Sequence, residues 1–137
     1  MIEVWIDGLC EPVNPGGTAC TGYVIKAKSE TIALSSKVIG TGEGMTNNVA
    51  EYTALIYALQ EIRKLKLDQE KILIRSDSKL LVEQMNGNWK VKAPLIIPLD
   101  RKAKGYAAGL DITIQWIPRE ENEEADQLTR LAYESNL

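Results

Sequence analysis

The sequence predicts one α/β domain built on a five-stranded mixed sheet, three antiparallel strands followed by two parallel ones, with helices on both faces. Three observations lead there. Residues 2–7 alternate, Ile2, Val4 and Ile6 on one side and Glu3, Trp5 and Asp7 on the other, which is the period of a half-buried strand. Two further runs, 18–28 and 31–39, are joined by a short link near Ser29-Glu30, as in an antiparallel meander. The later strands are separated by helical segments, and strands connected through helices run parallel.

The elements follow in order. Gly8 interrupts the first alternation and makes Asp7 the last residue of its strand, and Asn14-Pro15-Gly16-Gly17 reads as a loop. After the meander, residues 47–67 (NNVAEYTALIYALQEIRKLKL) carry a helical period. KILIRS, 71–76, is a strand, and DSKLLVEQM begins a second helix. Pro94 and Pro98 bracket an apolar stretch leading into a helix through Ala108. Residues 111–117 form the last strand and 122–133 a closing helix, completing the series βββαβααβα.

Composition narrows the chemistry. A chain of 137 residues suits one domain that buries roughly two-thirds of its unfolded surface. No apolar run approaches the ~18 residues of a membrane span and the N-terminus is an alternating strand, so a cytoplasmic location is expected. Cys10 and Cys20 lack metal-site spacing and are expected to be free thiols. The chain has no histidine, which removes Ser-His and Cys-His nucleophiles and histidine-ligated metals together. Net charge is −3, but it is segregated: six basic residues against two acids from Lys79 to Lys104, and five acids in the seven residues from Glu120 to Asp126.

Certain acids sit where the pattern does not want them. Leu55, Ala58, Ile62 and Leu65 all fall within about 40° of Glu51 on a helical wheel, so a carboxylate occupies the stripe that should face the sheet. Asn48-Val49-Ala50-Glu51 also resembles a capping box, which accounts for its place but not its direction. Asp77 ends a strand and starts a helix, where an N-cap aspartate is common. Asp126 lies opposite Leu128, Leu131 and Ala132, and periodicity makes it a solvated acid. If strand ends and helix starts converge on one sheet edge, the like charges repel and call for cations. Oxygen ligands without histidine or thiolate point to magnesium or manganese, and two such ions ~4 Å apart can clamp the attacking and leaving oxygens of a phosphodiester.

Five segments, IDG (6–8), NPG (14–16), TNNVAE (46–51), SDS (76–78) and PREENEEAD (118–126), give the chain an end-to-end resemblance to type 1 ribonuclease H. The resemblance implies an RNase H-like fold and cleavage of the RNA strand of an RNA/DNA hybrid, leaving a 5′-phosphate and a 3′-hydroxyl. It implies Asp7, Glu51, Asp77 and Asp126 as the catalytic and metal-binding carboxylates, holding two Mg2+ ions for which Mn2+ substitutes. Subtracting four carboxylates from −3 leaves +1, so the surface meeting a polyanion is then no longer net acidic. Asn14, Thr46, Asn47 and Asn48 match positions around the substrate backbone, although loop and N-cap chemistry accounts for them as well. Ser78, Lys79, Trp89 and Arg119 complete the expected substrate contacts, with a core tryptophan beside solvated lysines the alternative for Trp89. The expected partner is a hybrid bound by a monomer, with no membrane.

The chain departs from the family in two places. Many relatives carry a histidine just before the last helix, where this sequence has Ile117-Pro118-Arg119-Glu120. The segment from Asn86 to Gly105 is too short for the basic protrusion that some relatives carry. The sequence also allows a nuclease of the same fold acting on double-stranded RNA or DNA junctions, and a non-catalytic nucleic-acid-binding module.

Overall fold

The computed structural model describes residues 1–137. Its strands are β1 (Ile2–Glu11), β2 (Thr18–Ala27), β3 (Glu30–Thr41), β4 (Lys71–Ser76) and β5 (Asp111–Trp116). Its helices are α1 (Asn47–Lys64), α2 (Lys79–Met85), α3 (Ile97–Ala107) and α4 (Glu123–Ser135), the last preceded by a 3-10 turn, Arg119–Glu121. The sheet order is β3-β2-β1-β4-β5, antiparallel among β1, β2 and β3 and parallel from β1 to β4 to β5. The predicted strand series and mixed sheet are therefore present. Lys28 and Ser29 both take positive φ, giving β2 and β3 the tight link that right-twisted strands favour.

The first strand does not end at Asp7. β1 continues to Glu11 and pairs with β2 throughout, Asp7 opposite Gly22 and Gly8 opposite Thr21. Gly8 is in the strand for a packing reason rather than to turn the chain. A Cβ there would lie 2.3 Å from the Glu51 backbone nitrogen and 2.5 Å from the Ala50 carbonyl carbon, so only glycine admits the helix at that distance. What does stop beside Asp7 is the parallel partner: β1 pairs with β4 only as far as Ile6 and Ser76.

The even positions of β1 carry the main core. Ile2, Val4 and Ile6, with Ile25, Ile72 and Ile74, pack against Leu55, Ala58, Leu59 and Ile62 of α1. Each large aliphatic side chain buried there contributes roughly 1.5–3 kcal/mol. Leu65, on the predicted stripe, falls after the last helical turn and is exposed. The opposite face is covered by α4, whose buried residues are Ala125, Thr129 and Ala132, with Asn122 at its N-cap. This face is small because α4 lies almost on the β2 backbone: a Cβ on Gly22 would stand 2.5 Å from the Ala125 carbonyl oxygen. Helices thus cover both faces as predicted. No helix is long and apolar enough to cross a membrane.

Candidate active site

The parallel pairing of β1 and β4 brings Asp7 and Asp77 side by side where β4 ends. Glu51 reaches the same point from the second turn of α1, admitted by Gly8. One carboxylate oxygen from each of Asp7, Glu51 and Asp77 lies within 4.8 Å of the others. Asp126, from the first turn of α4, lies outside this tight group but lines the same cleft, and its Oδ2 accepts from Arg130 Nε at 3.2 Å. The cleft holds about 320 Å³ and is also bordered by Asn47, Ser78 and Arg119.

Neither expected capping role belongs to these acids. Thr46, not Asn48, caps α1, its hydroxyl accepting from the Val49 N–H at 3.0 Å, so the capping-box account of Glu51 fails. Ser78, not Asp77, caps α2, accepting from the Leu81 N–H at 3.2 Å. Glu51 is 3 % exposed and its Oε2 has no hydrogen-bond partner.

Burial pushes the Asp7 carboxyl up to about 8, with the charges of Asp77 and Asp126 adding to it. Glu51 is pushed well above the usual range, first by burial and then by the charges of Asp7 and Asp77. Asp77 is raised by burial, with partial relief from the Asn122 amide and the Arg119 charge. Three crowded carboxylates, one with a buried oxygen left unpaired, form a donor set that suits a hard cation.

Several residues outside the predicted set build the cleft. Asn122 is wholly buried, and its Nδ2 donates to the Ile6 carbonyl at 2.8 Å and to Asp77 Oδ2 at 3.1 Å. Its backbone carbonyl accepts from the Asp126 N–H, so this residue touches the elements carrying three of the four acids. In sequence it stands among five acids at the start of the predicted closing helix; only its place between α4 and two strands distinguishes it. Trp116 Nε1 donates to the Asp77 carbonyl at 3.1 Å, and Cys10 and Glu11 also line the cleft.

The other predicted contacts divide. Asn14 Oδ1 accepts from the Asn47 N–H at 3.0 Å and, with Thr46, organises the start of α1. Asn48 and Lys79 are exposed and do not line the cleft. Trp89 is no core residue: it is 45 % exposed beside a second cleft, with Lys90, Arg101 and Lys104. Cys10 and Cys20 are buried free thiols.

A reverse transcriptase-like family model matches residues 6–132. LC11-RNase H1, solved in complex with an RNA/DNA hybrid, superposes with a TM-score of 0.89 at 34% identity over 99% of each chain. This chain belongs to the type 1 ribonuclease H family. Ribonuclease HI of Halobacterium salinarum is 32% identical over 96% of this chain. The bifunctional protein Rv2228c of Mycobacterium tuberculosis is 40% identical over 89% of it. The chain spans 63% of the length of the former and 33% of the latter. Within this ribonuclease H scaffold, residues 86–96, between α2 and α3, contain no further helix.

Proposed function

We propose that this chain is a metal-dependent endoribonuclease that hydrolyses the RNA strand of an RNA/DNA hybrid, leaving a 5′-phosphate and a 3′-hydroxyl. The observation that carries the reading is the buried Glu51 carboxylate, one oxygen of which has no hydrogen-bond partner, held against Asp7 and Asp77. The full-length match to LC11-RNase H1, itself solved with such a hybrid, supports the substrate class.

Asp7, Glu51, Asp77 and Asp126 are the proposed ligands of two magnesium ions, with manganese an acceptable substitute for the same all-oxygen set. When bound, such ions supply an activated water and stabilise charge on the displaced oxygen. The chain's own residues supply position. One carboxylate stands on β1 and a second just past the end of neighbouring β4, a third is locked over Gly8, and the Asn122 amide steadies Asp77. Arg119 faces the same cleft, where a guanidinium holds a phosphate through its planar fork of donors. Asn14, Thr46, Asn47, Asn48 and Ser78 are assigned to the nearby backbone, and Lys79 and Trp89 to its continuation. Preference for a hybrid follows from 2′-hydroxyl contacts across a wide minor groove, not from base identity.

The test is cleavage of an end-labelled hybrid in magnesium by the parent and by Asp7→Asn, with double-stranded RNA as control. Cleavage of the hybrid alone, lost in the variant, is expected. No cleavage by the parent in magnesium or manganese would overturn the proposal. With few cations along the substrate path, binding should fall only gently with salt, and a log–log slope as steep as about −6 would contradict this.

A further inference from the structure

A buried polar network that joins α1 to α2 and α3 has no part in the chemistry above. Tyr52, 1 % exposed, places its hydroxyl 2.8 Å from Gln84 Oε1 and 3.3 Å from Asp100 Oδ1. Gln84 and Asp100 are buried too, one on α2 and the other on α3. Burial and the Asp100 carboxylate push the Tyr52 phenol well up, so its hydroxyl remains a donor at any working pH. Asp100 Oδ2 accepts from Lys104 Nζ at 3.0 Å.

The other end of the network leaves the core. Gln84 Nε2 donates to the Lys90 carbonyl at 3.4 Å, inside the irregular segment that joins α2 to α3. The same segment is tied at its start, where the Asn88 and Trp89 N–H groups both donate to the Glu83 carbonyl. Between these ties Trp89 projects into a cleft of about 400 Å³ bordered by Gln84, Lys90, Asp100, Arg101 and Lys104. An apolar trio would fill the space under α1 without the desolvation that a phenol, an amide and a carboxylate incur. The polar choice does one thing an apolar trio cannot: it reaches a loop carbonyl.

We propose that Tyr52 and Gln84 are positioning residues that set the Trp89–Lys90 turn for nucleic acid binding. The inference rests on the proposed hydrolysis of a hybrid and on Trp89 meeting that substrate. Tyr52→Phe keeps the ring and removes the first link. Gln84→Glu keeps an acceptor for Tyr52 and removes the donor to Lys90.

The experiment combines hybrid-cleavage kinetics with fluorine NMR of 5-fluorotryptophan-labelled protein, the Trp89 resonance assigned by Trp89→Phe. In both variants the Trp89 resonance should move while those of Trp5 and Trp116 hold. KM should rise about fivefold, the equivalent of one ordinary hydrogen bond, with kcat within about twofold of the parent. A Trp89 resonance that stays in place in folded Tyr52→Phe and Gln84→Glu overturns the inference, even if thermal stability falls. Trp89→Ala separates this from failure of the substrate reading. A moved resonance with KM unchanged in all three variants upholds the positioning and removes Trp89 from the substrate contacts. KM raised in Trp89→Ala but not in Tyr52→Phe or Gln84→Glu overturns the positioning alone.

Discussion

Glu51 and Tyr52 are consecutive residues of α1, both nearly sealed from solvent, and the polar atoms they bury meet opposite circumstances. The Tyr52 hydroxyl finds Gln84 and Asp100, and those two reach on to Lys90 and Lys104. Glu51 Oε2 finds nothing, and its neighbours are two more carboxylates. A paired buried network orders the groups it joins, whereas a crowded, unpaired one stores repulsion that an outside ligand can relieve. The apolar core beneath, from Val4 and Ile6 to Leu55 and Ile62, holds the unfavourable cluster in place.

The largest expected effect breaks the unpaired side of this comparison. Asp7→Asn should lower hybrid cleavage by at least about 100-fold, the usual cost of losing one charge-stabilising group. Metal-free, the same variant should resist urea as well as the parent or better. Clear destabilisation there would make Asp7 a structural residue and dissolve the contrast. Next comes Gly8→Ala. The added carbon would meet backbone on α1, with no flexible side chain to yield, so a loss of about 3 kcal/mol or more and a displaced Glu51 are expected. Urea unfolding and cleavage rate measure the two parts.

A pH series sharpens the same point. Asp7 has an ordinary value of 3.8 and is held near 8 in the fold, and Glu51 is shifted in the same direction. Between those values the folded, metal-free protein binds more protons than the unfolded chain, so stability falls as pH rises from about 4 to about 8. The total is on the order of a few kcal/mol, and Asp7→Asn should flatten the slope. Urea midpoints in chelator across this range provide the check, and a midpoint that rises with pH would contradict the raised values.

Asn122→Ala should cost about 1–3 kcal/mol by stripping the buried Ile6 carbonyl of its donor, and should lower activity through Asp77. The smallest effect belongs to the paired side. Tyr52→Phe should cost about 1 kcal/mol in urea unfolding, with no dependence on pH in the neutral range. A loss much larger than that of Asn122→Ala would place the more critical polar contacts away from the carboxylates.

How much of this was legible in the sequence differs from residue to residue. Glu51 could be found because it violates the period of its own helix, and Asp7 and Asp77 because each stands where a strand pattern stops. Asp126 could not be found from pattern. Of the leucines that seemed to define the inner face of α4, Leu131 is more than half exposed and Leu128 only partly buried, and the fully packed residues are Asn122, Ala125, Thr129 and Ala132. Small residues belong there because Gly22 lets α4 approach the β2 backbone, and no local pattern reveals a partner's lack of a side chain. Gly8 misled for the same reason, reading as a turn when it makes room for a helix.

The sequence by itself determined the order and type of the elements, since alternation and helical period are properties of neighbouring residues. It also marked one carboxylate as misdirected. Only the tertiary structure decided that Asp7, Glu51 and Asp77 meet within 4.8 Å, while Asp126 stands at the edge under Arg130 and Trp89 lies at a separate cleft. Those separations depend on the β1–β4 register and on the backbone approaches at Gly8 and Gly22. They arise from packing between distant segments, which local periodicity does not encode.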